Sequence, residues 1–190
     1  MIRVVSILLL VSSAAVVAGE RSSPAEVPGV QEVGPGIFRG AQPDLDVISE
    51  LAAAGVRTIL DLRSDSAALR AERAAAESAG MRFVNIPLPR FRRPGDAAIA
   101  RALRVLTDAA HQPVFVHCKR GADRTGVVVA CHRIGREGWS IDAAIAEAKR
   151  HGLGWWQINM KRFIRSSCGD ALTAAAPDED DDRAGDVESP

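Results

Sequence analysis

Val114-Phe115-Val116-His117-Cys118-Lys119-Arg120-Gly121-Ala122-Asp123-Arg124-Thr125-Gly126 joins a short apolar run to a helical one through a turn containing cysteine, glycine and arginine. Val114 to His117 reads as a buried strand, and the residues from about Thr125 to Arg136 read as a helix. Cys118 therefore sits at a strand's carboxyl end and Arg124 at a helix start. That is the edge at which open α/β sheets place their ligands.

A thiol there can ionise near neutral pH. A helix N-terminus and surrounding amides lower a cysteine pKa from about 8.5 by several units. Five residues separate Cys118 from Arg124, enough to wrap Lys119, Arg120, Gly121, Ala122 and Asp123 around one phosphate with their N–H groups pointing inward. Arg124 supplies a planar fork for two of the phosphate oxygens. Gly121 permits the turn, and Gly126 allows the helix start to pack closely against the loop. Thr125 can set its hydroxyl near the sulfur. His117 is expected to hydrogen-bond within the loop rather than act as a base.

Working outward, helices and strands alternate. A strand near 36–39 is followed by a helix that Asp44 starts and Gly55 ends. Val56 to Leu62 is the next strand, Ser66 to Ala79 a helix, and Met81 to Ile86 another strand. Pro87 to Pro94 is a loop carrying Arg90, Arg92 and Arg93. A helix runs from Asp96 to Ala110, with Ile99, Leu103 and Leu106 on one face. Beyond Gly126, Ser140 caps a helix to about Arg150, and Trp155 to Arg165 forms the last, with Trp155 and Trp156 packing it onto the body or one of them bordering the pocket. The order implies a three-layer α/β fold with a mostly parallel central sheet.

The 190 residues suit one such domain, expected over 36–168. Residues 1–18 have the layout of a cleaved signal peptide, which implies a secreted or periplasmic protein; an uncleaved membrane anchor is the alternative. Residues 19–35 read as a linker, and 169–190 as a disordered acidic tail. Eight acids and one base lie in 170–190, which leaves 22 basic and 16 acidic residues over 19–169, a net of +6. A basic body suits an anionic substrate. The odd cysteine count does not suggest a disulfide framework, and Cys131 reads as core packing.

The His-Cys-x5-Arg-Thr-Gly pattern of 117–126 resembles the active-site motif of cysteine-dependent protein-tyrosine and dual-specificity phosphatases. Phe38-Arg39-Gly40-Ala41-Gln42-Pro43, the run Gly55 to Arg63, and Gln112 to Cys118 are similar to the atypical dual-specificity phosphatases of plants, fungi and bacteria. The likeness covers about residues 30–165. It implies that Cys118 is the nucleophile, that 119–125 bind phosphate, and that no metal or other cofactor is used. It also implies as partner a phosphorylated protein or a small phosphorylated substrate. Neither nucleic acid nor stable membrane insertion is expected, and the chain should be a monomer. Lys119-Arg120-Gly121 is similar to members acting on inositol pyrophosphates, which carry further basic residues where this chain has Ala122-Asp123. Phosphoinositides and inositol phosphates are thus the alternative substrates. A rhodanese-like sulfur transferase and a catalytically idle phosphate-binding module are the rival classes.

Leaving-group departure usually needs a proton donor. Asn85 to Pro89, where many relatives place an Asp, has no acid. Asp96 is the nearest upstream loop-edge carboxylate and is taken as the acid, with helix capping as its other role. Asp61 and Asp65 compete for it.

Overall fold

The protein was analysed as a computed structural model, which describes residues 22–64 and 66–169. The signal segment, the acidic tail and Asp65 lie outside those residues. Five strands form one sheet: β1 Gln31–Gly34, β2 Ile37–Gly40, β3 Thr58–Asp61, β4 Arg82–Asn85 and β5 Val114–His117. Their spatial order is β1-β2-β5-β3-β4, antiparallel between β1 and β2 and parallel elsewhere. The helices are α1 Leu45–Ala53, α2 Ala67–Ser78, α3 Asp96–Thr107, α4 Asp123–Glu137, α5 Ile141–Arg150 and α6 Ile158–Ser167.

The alternation of side chains along each strand divides the core into two. Val114, Val116 and Leu60 face α3 to α6, whereas Phe115, Ile59 and Phe38 face α1 and α2. With both faces covered, β2, β3 and β5 are buried along their whole length, which explains their nearly continuous apolar character. Local signals set the helix ends. Ser66 Oγ accepts from Leu69 N at 3.2 Å and Ser140 Oγ from Ala143 N at 3.2 Å. Asp44 occupies the N-cap of α1 but its side chain makes no capping bond.

The structure differs from the sequence expectation in three places. Residues 24–34, read as part of a linker, contain a single 3-10 turn (Pro24–Glu26) and strand β1. Val27, Val30 and Val33 are buried, so the segment belongs to the domain. Trp155 and Trp156 precede α6 rather than pack it, and Trp155 is 81% exposed. Cys131 in α4 and Cys168 after α6 form a disulfide, with Cα atoms 4.6 Å apart. The pairing was hidden because the two are 37 residues apart and meet only when α6 lies along α4.

This crosslink should contribute about 2–4 kcal/mol, mainly by restricting the unfolded chain. Thermal melts of wild type and a Cys131→Ala/Cys168→Ala variant should show a Tm lower by several degrees for the variant. Reductant should lower the wild-type Tm and leave the variant's alone.

Candidate active site

Beyond His117 the chain leaves β5, and α4 begins at Asp123, two residues earlier than its composition suggests. Cys118 to Ala122 form the loop between them. Gly121 has φ +65°, and a Cβ there would run into the Gly40 carbonyl, so the position requires glycine. Gly126 is not required in the same way: its Cβ would lie 3.5 Å from that of Ala148 on α5, an ordinary van der Waals contact, and would not meet the loop.

The loop is held from outside itself. Arg39, buried in β2, donates from Nη2 to the Gly121 carbonyl at 2.7 Å. Leu62 N donates to the His117 carbonyl at 3.0 Å. Arg124 Nη1 donates to the Leu62 carbonyl at 3.1 Å, tying the guanidinium to the end of β3. Asp123 is fully engaged: Oδ1 accepts from Gly154 N at 2.9 Å and Oδ2 from Arg120 Nη2 at 2.6 Å.

Beneath the loop lies a buried charged network that the sequence did not announce. Arg63 donates to both oxygens of Asp61, at 2.7 to 3.0 Å, and to Glu72 Oε2 on α2. Glu72 Oε1 lies 2.7 Å from His117 Nε2, without the alignment of a hydrogen bond. His117 Nδ1 is 3.2 Å from the Cys118 carbonyl oxygen, as expected of a loop-anchoring role, and its ring stacks on Phe115. Asp61, Glu72 and His117 thus bring three potential metal ligands together. Arg63 already pairs both carboxylates, so the positive charge at that point belongs to a side chain. Asp61 is fully buried in this network and faces no solvent, which removes it as a proton donor.

A cavity of about 330 Å³ opens over the loop. Cys118, Lys119, Arg120, Asp123 and Arg124 line it, with Arg90, Phe91, Trp156 and Gln157 as the walls. Burial alone would raise the Cys118 pKa. The Thr125 hydroxyl, the amides of Thr125 and Arg120 and the charge of Arg124 more than offset it, so the thiol titrates below its ordinary value. Thr125 Oγ1 is itself buried and has no competing partner.

Asp96 is not part of this constellation. It is the first residue of α3, with Gly95 at the N-cap, so the capping expectation fails as well. Its carboxylate pairs with Arg93 at 2.9 Å and is absent from the cavity wall. The Arg93 hydrogen bond holds its pKa below the usual carboxylate range, the opposite of what a proton donor needs. Of the three loop arginines, Arg90 lines the cavity whereas Arg93 is spent on Asp96 and Ser167.

Gln157 carries no signal in the sequence, where it is one of two amides between Trp156 and Met160. It is 2% exposed, donates to the Arg90 carbonyl at 2.9 Å, and keeps Oε1 without a partner at the cavity wall. Arg39 did leave a trace, as the one charge in the apolar run Ile37-Phe38-Arg39-Gly40.

Comparison with known proteins agrees with this geometry. Residues 14–166 match the family described as DSP-PTPase phosphatase fused to NAD+ kinase. The chain belongs to the DSP-PTPase family. It is 34% identical over 121 residues to the dual specificity protein phosphatase TpbA of Pseudomonas aeruginosa strain UCBPP-PA14, covering 63% of this chain and 53% of TpbA. It is 31% identical over 133 residues to the inositol diphosphatase DSP4 of Arabidopsis thaliana, covering 68% and 66%. The chain therefore spans about half the length of TpbA and two thirds of DSP4. Among solved structures, P. aeruginosa TpbA aligns with TM-score 0.65 and 27% identity over 78% of this chain and 91% of that one. The catalytic core of the PP-IP phosphatase Siw14 from S. cerevisiae shares the fold, with TM-score 0.69 and 21% identity over 77% and 89%.

Two substitutions separate these assignments. Replacing Thr125 by Val removes a hydroxyl that favours the thiolate, so the acid limb of a pH–rate profile should move to higher pH. Asp96→Asn should leave both limbs and the maximal rate of aryl phosphate hydrolysis within about twofold, because it removes only an exposed ion pair.

Proposed function

We propose that this protein is a phosphatase that hydrolyses phosphate monoesters through a phosphocysteine intermediate. The observation that carries the reading is the cavity floor, where a buried Cys118 with a lowered pKa lies in the loop that leads to Arg124 in the first turn of α4. Cys118 Sγ attacks phosphorus, a P–S bond forms, and the ester oxygen departs with the bonding electrons. Arg124 and the inward loop amides hold the non-bridging oxygens as charge builds on them. Water then attacks phosphorus, the P–S bond breaks, and phosphate leaves while the Thr125 hydroxyl stabilises the departing thiolate. Lys119 and Arg120 line the phosphate cavity, and His117 positions the loop through the Cys118 carbonyl. The reaction as written uses no metal.

Asp123 is the carboxylate on the cavity wall, and both its oxygens are already bonded. Asp65 lies outside the described residues; among those described, the cavity wall favours leaving groups that depart without a strong proton donor. Aryl phosphates meet that condition, and Phe91 and Trp156 provide aromatic walls for such a ring. Phosphotyrosine in a protein, or a dual-specificity protein substrate, is the primary reading; a TpbA variant has been crystallised in complex with phosphotyrosine. Phosphoanhydrides meet the same condition. Inositol pyrophosphates are the second reading, favoured by the cations Arg90, Lys119 and Arg120 around the opening and by plant relatives named inositol diphosphatases.

We place the protein outside the cytoplasm, with residues 1–18 as a cleaved export signal. The Cys131–Cys168 disulfide fits an oxidising compartment. No described helix is long and apolar enough to cross a membrane.

Purified protein should hydrolyse an activated aryl phosphate, be inhibited by vanadate, and keep its rate in a chelator. Cys118→Ser should lower the rate by at least about a thousandfold and Arg124→Lys by about a hundredfold. A rate unchanged in Cys118→Ser would remove the covalent mechanism. A panel of phosphopeptides, phosphoinositides and inositol pyrophosphates, ranked by kcat/KM, decides between the two substrate readings.

A further inference from the structure

On the other side of the phosphate loop lies a second cavity, of about 430 Å³, within the range of about 300–1,000 Å³ common for small-ligand sites. It shares with the first only Arg120, and the loop itself forms the partition. Its wall carries four basic side chains, Arg39, Arg120, Arg150 and His151, and no acid.

The state of those cations is what points to a ligand. Arg39 is 2% exposed; Nη2 donates to Gly121, but Nη1 is buried with no hydrogen-bond partner. An unpaired buried guanidinium nitrogen is costly unless something accepts from it. Arg150, exposed in the last turn of α5, makes no side-chain hydrogen bond or ion pair among the described residues. The nearby acids are taken: Glu147 is bound by Arg133 at 2.8 Å and Asp123 by Arg120. Burial first, and then Arg39, Arg150 and Arg133, lower the pKa of His151, with Glu147 partly offsetting them.

We propose that this cavity binds a phosphate dianion, received by Arg39 and Arg150 with His151 beside them. Because the partition is only the loop, the dianion can be the second phosphoryl group of a molecule whose first sits over Cys118. The site would then select substrates with more than one phosphate. Only that role in substrate choice rests on the phosphatase reading; anion binding does not. The same chemistry also admits free inorganic phosphate, and the test separates the two sources.

Arg150 is the residue to change, since it is exposed and Arg39 also holds the loop. The first measurement is calorimetric titration of inorganic phosphate into full-length Cys118→Ser protein, with and without Arg150→Gln. Two classes of site are expected, with the one outside the catalytic loop weakened about tenfold or more by the substitution. The second uses inositol hexakisphosphate as a competitor of aryl phosphate hydrolysis. If the second phosphoryl belongs to the same molecule, Arg150→Gln raises its inhibition constant about tenfold while the aryl phosphate KM changes less than twofold. Loss of the phosphate site with an unchanged inhibition constant assigns the cavity to free phosphate. A single class of phosphate site in the Arg150-bearing protein, and no effect of Arg150→Gln on either measurement, overturns the proposal. Absence of aryl phosphate turnover in wild type would instead count against the phosphatase reading and leave the titration standing.

Discussion

The hydrogen bond from Arg39 Nη2 to the Gly121 carbonyl fixes the middle of a loop whose amides must otherwise point inward at an anion. A loop that turns its N–H groups inward turns carbonyls outward, and a buried carbonyl needs a donor. Arg39 supplies it from the neighbouring strand β2, which runs parallel to β5 so that Gly40 pairs with His117. Neither glycine can carry a larger group: a Cβ on Gly121 would run into the Gly40 carbonyl, and one on Gly40 would lie 2.7 Å from the Phe115 ring. Burying a guanidinium here lowers the pKa of Arg39 through desolvation, which Glu147 and Cys118 partly offset. The nucleophile and the arginine that shapes its loop therefore stabilise each other's charge.

A second support acts from the opposite face. The Asp61–Arg63–Glu72–His117 network links β3 and α2 to the residue before the nucleophile. All four side chains are buried, so removing one leaves the others uncompensated rather than merely deleting a contact. Such a network adds little net stability compared with apolar packing. It does fix orientation: the His117 ring cannot turn without losing both its Nδ1 contact with the Cys118 carbonyl and its stack on Phe115. The catalytic loop is thus clamped between one arginine in β2 and another after β3, each engaging backbone or carboxylate through a planar fork.

How much of this was legible in the sequence follows from how far apart the interacting residues lie. The strand–loop–helix with Cys118, Arg124 and Thr125 is contiguous, and its requirement for an anionic thiol near a helix start can be read from order alone. The buried strands β3 and β5 announced themselves by apolar runs, and the capped starts of α2 and α5 by Ser66 and Ser140. Strand β1 did not, because Pro, Gly and Glu dominate its surroundings and only its pairing with β2 gives it a side to bury. Cys131 and Cys168 meet through helix packing across 37 residues. Glu72 is one of two glutamates in an Ala-rich helix, and only the tertiary fold turns it toward His117.

The Asp96 reading failed for a related reason with a chemical consequence. Sequence order places it after the Pro87–Pro94 loop that borders the cavity, but adjacency along the chain is not aim. Arg93, three residues earlier, captures the carboxylate on the surface, so the loop delivers Arg90 and Phe91 to the site instead of an acid. Phosphate binding and thiolate stabilisation come from contiguous residues and survive this loss; only proton donation depended on a distant segment. Among the described residues the one wall carboxylate, Asp123, is already engaged, so under the proposed function the site discriminates by leaving group before it discriminates by shape. On the proposed function, aryl phosphates and phosphoanhydrides then come ahead of alkyl esters, and the proposed anion site beyond the loop is the means of choosing between them.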